Sequence, residues 1–137
     1  MQTKNNCYTY FRMVGEFDPD EVSARLGLKP DYSQKIGDRR TDGKIFNCAQ
    51  WGYGRCDEYD VEVEKQMQKT ISGLLDKIDI LNRIREDFNV SFYLEVVPEI
   101  YVDDCAPSLA PSLDVIDFCH ATRTEIDIDT YIFPDDD

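Results

Sequence analysis

Three carboxylates at a spacing of two stand near the C-terminal end of the chain: Glu125, Asp127 and Asp129, within TEIDIDTYIF at 124–133. Ile126, Ile128 and Ile132 take the opposite parity. A period of two is the period of a strand, so the stretch predicts one apolar face and one acidic face. Acidic side chains are depleted in strands, which makes three on one face a candidate site. Three chemistries compete for it. Asp127 and Asp129 could share Mg²⁺ in a metal-dependent enzyme, although such a site usually needs further acids from elsewhere. The row could pair with Arg and Lys of a cationic partner. Or the acids could simply face water.

Other groups with chemical potential have cheaper explanations. Asp18, Asp20 and Glu21 in FDPDEV resemble a ligand cluster, yet Asp18 fits an N-cap, Pro19 the first helical position and Glu21 a capping box. The helix dipole favours those charges without any metal. Five cysteines (Cys7, Cys48, Cys56, Cys105, Cys119) include no C-x-x-C, so reduced thiols are expected and no metal or cofactor. Cys119 and His120 are adjacent, and helical neighbours diverge by about 100°, which suits a shared metal poorly. His120 is the sole histidine, and no nucleophile can be set beside it. Gly52-x-Gly54 is too short for a phosphate loop. A basic cluster (Lys35, Arg39, Arg40, Lys44) lies in an irregular stretch and reads as solvated. No catalytic residue is expected.

Charge narrows the partner class. The 137 residues carry a net charge of −13, and residues 98–137 hold 11 acidic groups against Arg123 alone. Such a field disfavours nucleic acid and anionic membranes as direct ligands and favours cationic partners. The opening MQTKNNCYTYF lacks the apolar core of a signal peptide, and no apolar run approaches membrane-spanning length. A cytoplasmic location is the expectation; the oligomeric state stays open.

The elements that would position these groups follow from periodicity. CYTYFRMVGE (7–16) reads as a strand, with Arg12 marking the wetter face. A helix starts at Asp18 and ends at Gly27. Residues 29–56 are irregular until KIFNCAQWGYGR, a strand or hairpin around Trp51. A long helix spans roughly 60–88, its stripe formed by Val63, Met67, Ile71, Leu74, Ile78, Leu81, Ile84 and Phe88. VSFYLEVV is the next strand. A short helix covers about 111–121, with Pro111 first and Leu113, Ile116 and Cys119 inward. The strand 124–133 closes the fold, followed by a solvated tail at 134–137.

YFRMVGEFDPDEVSARLGLKPDYSQKIGD at 10–38, the Trp strand, the long helix and SLAPSLDVIDFCHATRTEIDIDTYIF at the close occur in one order. That order resembles a bacterial family catalogued as domain of unknown function 4279. The likeness covers nearly the whole chain. It departs at Ala110, where the helix start would more often carry Ser or Thr, and in extra cysteines at 48–56 and 105. The resemblance implies no activity, so no catalytic residue carries over.

The order strand, helix, Trp strand, long helix, strand, helix, strand predicts a single α+β domain over 1–137. Two β-α-β units, distant echoes of one another, would form a mixed, mainly antiparallel four- to five-stranded sheet with helices on one face. This is a ferredoxin-like two-layer sandwich. In it the first and last strands would be neighbours. With the Ile face packed on the helices, the open face would display Glu125, Asp127, Asp129 and Tyr131, then Tyr93 and Glu95, then Tyr8, Tyr10 and Arg12. Tyrosine contact area with carboxylates suits a basic protein surface. The function expected is therefore a non-catalytic acidic binding protein, such as an immunity protein or inhibitor masking a cationic effector. The alternative is a domain that binds a small ligand, or itself, on the open sheet. A third reading has Arg12 neutralising a cross-strand acid on a merely solvated face.

Overall fold

The computed structural model describes residues 4–57 and 62–134. Six strands form one sheet: β1 Asn6–Glu16, β2 Tyr32–Gln34, β3 Ala49–Cys56, β4 Asn89–Tyr101, β5 Glu125–Ile128 and β6 Tyr131–Phe133. Its order is β2-β3-β1-β4-β5, with β6 also pairing β4. The helices are α1 Pro19–Leu26, α2 Val63–Ser72, α3 Ile78–Asp87 and α4 Leu113–Thr122. All four contribute to one core with the sheet: Val22 and Leu26, Met67 and Ile71, Leu81 and Ile84, Val115 and Phe118 join Phe11, Met13, Phe92 and Leu94. This is a two-layer α+β sandwich with a mostly antiparallel sheet, helices on one face and the other face open.

Local chemistry sets the boundaries. Asp18 accepts the Asp20 N–H at 3.0 Å, Pro19 follows, and Gly27 closes α1 at φ 66°. In β1, Cys7, Thr9, Phe11 and Met13 are buried, which leaves Tyr8, Tyr10 and Arg12 on the open face. Trp51 is fully buried and its indole N–H donates to the Ser23 hydroxyl at 2.9 Å, tying β3 to α1. The Thr70 hydroxyl donates to the Gly54 carbonyl at 2.7 Å and also lies 2.7 Å from the Thr9 hydroxyl. A hydroxyl has one proton to give, so Thr9 is the donor in that pair and the buried chain is satisfied.

Several expectations change. The first strand does not neighbour the last: β1 lies between β3 and β4, antiparallel to both, and β5 and β6 pair parallel with β4. The two β-α-β units also differ. β4-α4-β5 joins parallel neighbours, whereas α1 leads from β1 to β2, which is separated from β1 by β3, and β3 itself runs antiparallel to β1. The long helix is broken, because Gly73 follows α2 and a 3-10 turn at Leu75–Lys77 leads into α3. The apolar stripe continues through buried Leu74, so periodicity alone misses the break. The expected start at 60 lies outside the described residues, as do 135–137 of the tail.

Near the C-terminus, α4 is capped by Ser112, whose hydroxyl accepts the Val115 N–H at 3.4 Å. The cap sits two positions beyond Ala110. The inward side is accordingly Val115, Phe118, Cys119 and Thr122, while Leu113 and Ile116 are exposed. The closing strand is two strands in one register, Val96 opposite Ile128 and Glu99 opposite Tyr131. Asp129 N–H donates to the Val96 carbonyl at 2.9 Å. The parallel ladder would next bring the N–H of residue 98 to the Asp129 carbonyl. Residue 98 is proline and has none, so the ladder lapses there.

Candidate functional site

The sheet brings the expected residues onto its helix-free face by register. Arg12 stands opposite Tyr93 and Tyr10 opposite Glu95 on β1 and β4; Tyr93 faces Glu125 and Glu95 faces Asp127 on β4 and β5. Residues directly opposite share a face, so these six form one patch. Asp129 lies just past β5, and Tyr131 on β6 donates its hydroxyl to the Asp129 carboxylate at 3.2 Å.

Burial separates the roles within the patch. Glu125, Asp127 and Asp129 are exposed, whereas Glu95 is 3% exposed. Glu95 is therefore not available to a partner as a surface acid, contrary to its expected display. It is covered because its strand is central, with Tyr10 on one side and Asp127 on the other. Arg12 Nη2 lies 2.8 Å from Glu95 Oε1, and the Arg12 guanidinium rests 5.2 Å from the Tyr93 ring centroid. The contact is out of line for a hydrogen bond, so neither Glu95 Oε1 nor Arg12 Nε has an aligned partner. Burial dominates the titration of Glu95, with the Asp127 carboxyl reinforcing it and Arg12 opposing it. The result is a value pushed up from 4.5 to about 7. Desolvation likewise raises Tyr10.

A second cluster on the same face joins the expected Tyr8 and Tyr10 to residues that the sequence did not single out. The β1–β3 pairing shifts register between Thr9 and Phe11, which stand opposite Cys56 and Tyr53. Gly54 fills the bulge at φ 75°, where a Cβ would come 2.6 Å from the Thr70 carbonyl oxygen. The extra residue turns Cys56 inward and Arg55 outward. The Arg55 guanidinium stacks 4.1 Å from the Tyr8 ring centroid. Tyr8 stacks on Tyr10 at 6.2 Å, and Tyr10 meets Tyr32 edge-on at 6.3 Å. Tyr32 lies over Gly52, where a Cβ would come 1.9 Å from its ring. Burial pushes its phenol up to about 12. These side chains, with Asp31 and Tyr53, line a cavity of about 130 Å³. The signal was Gly52-x-Gly54 beside Trp51, read as too short for phosphate when its use is a close ring approach and a bulge.

The Ile parity of the last strands is only partly covered. Ile126 packs against the core, but Ile128 is 46% exposed and Ile132 is 69% exposed. Of the basic loop, Lys35 pairs with Asp20 at 2.6 Å and Arg40 with Asp42 at 3.2 Å. Among the described residues no group of three His, Cys, Asp or Glu could hold a metal ion. No described helix is long and apolar enough to cross a membrane.

The family profile described as a domain of unknown function, DUF4279, matches residues 5–133. Neither curated proteins nor solved structures yield a match. The chain belongs to the DUF4279 family.

Proposed function

We propose that this chain is a non-catalytic, cytoplasmic binding protein. Its open face holds a basic protein surface, as an inhibitor or immunity protein masking a cationic effector would. The observation that carries the reading is the exposed row Glu125, Asp127 and Asp129 flanking tyrosines on a helix-free sheet face. Exposed carboxylates supply attraction to Arg and Lys, and tyrosines supply contact area at little conformational cost. The field of −10 over the last 40 residues would steer such a partner. Glu95 and Arg12 fill the centre of the face from within, and the partner meets the exposed acids around them.

The test is association with the partner captured from native lysate. Reversal of both Asp127 and Asp129 to Lys should slow association by about tenfold or more at low salt, with dissociation much less affected. The fold should survive, since exposed substitutions stay within about 0.5 kcal/mol. Unchanged association would remove the reading. The cavity lined by Tyr8, Tyr10, Tyr32 and Arg55 favours a second reading, a small ligand on the same face. A captured small molecule lost on Tyr10→Ala and indifferent to salt would support that instead.

A further inference from the structure

We propose that the partner docks as an added β-strand on the outer edge of β5 and β6, and that its docking segment alternates basic with apolar residues. The inference rests on the acidic-face reading and adds a mode of recognition to it.

Backbone geometry comes first. Asp129 N–H donates to Val96 and Val102 N–H donates to Phe133, so the odd-numbered residues of this edge direct their N–H and C=O groups toward β4. In a parallel ladder the alternate residues direct theirs away. Those are Ile126, Ile128, Thr130 and Ile132. The offset is the same on both sides of Pro98, which keeps the outward groups of both strands in one row. Among the described residues no strand pairs with that row.

Side chains specify the guest. Glu125, Asp127 and Asp129 lie toward the open face, while Ile128 and Ile132 expose apolar surface on the other parity. A strand laid along the edge places alternate side chains against acids and against isoleucines. Complementarity therefore asks for Arg or Lys at every second position and an apolar residue between. A second copy of this chain fits poorly: β5 paired with its own copy would set carboxylates opposite carboxylates on chains of charge −13. Unguarded edges invite pairing, and the acids restrict it by charge.

The probe is a short synthetic peptide alternating Arg and Val, followed by amide hydrogen exchange. On binding, the amides of Ile126, Ile128, Thr130 and Ile132 should become protected, while those of Asp127 and Asp129 change little. The same peptide N-methylated on its pairing edge should bind about tenfold more weakly or worse, having lost backbone hydrogen bonds. Ile128→Pro removes an outward N–H only, so it should fold and bind the peptide comparably weakly. A peptide of the same composition with its Arg and Val in separate blocks should also lose affinity. If block and alternating peptides bind equally and the four amides stay unprotected, strand addition is wrong while the acidic-face reading stands. If no Arg-bearing probe binds at any salt concentration, both fall. Protection of those amides by concentration alone, with dimers in sedimentation, would overturn the proposal in favour of self-pairing.

Discussion

Replacing Glu95 by Gln should make the protein relatively more stable as the pH rises, although it removes one half of an ion pair. Glu95 is 3% exposed, and its carboxyl value stands at about 7 against an ordinary 4.5. The groups facing it are Tyr10 and Arg12 from β1, Tyr93 from its own strand and Asp127 from β5. Because the folded-state value is the higher one, the stability tied to the protonated form is fully present below about pH 4.5. It is lost as the pH rises through about 7. At 1.36 kcal/mol per pH unit the loss comes to about 3 kcal/mol. Glutamine keeps the shape and stays neutral, so the variant escapes that loss. Its unpaired Arg12 adds a constant penalty that shifts the comparison without tilting it. Urea unfolding of both proteins in reductant, at steps from about pH 4.5 to 7.5, measures the tilt directly. The difference in unfolding free energy should move by about 3 kcal/mol in favour of the variant and flatten above the folded-state value. Carboxylates that do not touch residue 95 cancel. A difference that stays level across the range, or moves toward the wild type, would show that Arg12 outweighs burial.

Two further outcomes follow from the framework. Asp18→Ala should cost about 0.5–2 kcal/mol in chemical denaturation, since its carboxylate accepts the Asp20 N–H at the start of α1; an unchanged unfolding midpoint would remove the cap assignment. Under native alkylation Cys105, which is exposed, should be modified first. Cys7 and Cys119 should lag until unfolding, because burial pushes both thiols up to about 11; equal rates would contradict their packing.

The parts of the fold legible in the sequence are those written in local chemistry. Asp18, Pro19 and Gly27 bracket α1 by capping alone, and the odd parity of β1 went inward because Arg12 sits on the other. Long-range pairing left no such mark. Nothing in TEIDIDTYIF says that β4 lies between it and β1, since alternation is blind to which strand is the neighbour. The same blindness hid the burial of Glu95, an acid on the predicted face that only a central strand can cover. Arg55 escaped for a related reason. A bulge shifts parity by one, so residues after Gly54 point opposite to what counting predicts. The acids at 125, 127 and 129 were readable because an edge strand keeps its alternation in water.

The antiparallel pairing of β1 with β4 has a consequence for how the chain comes together. Phe11 stands opposite Leu94, so the central pair of the sheet joins segments some eighty positions apart. Closing so large a loop costs entropy before any contact repays it, and proteins dominated by such pairings fold slowly. During synthesis β1 must wait, unpaired on its β4 side, until the ribosome has delivered the residues of β4. Until then α2 and β3, with α1 tied to β3, are what can shelter its phenylalanine and methionine. Productive folding should accordingly be most vulnerable to aggregation in that interval. Substitutions that weaken the Trp51–Ser23 tether should lower the yield of native protein more than they lower the stability of the finished fold.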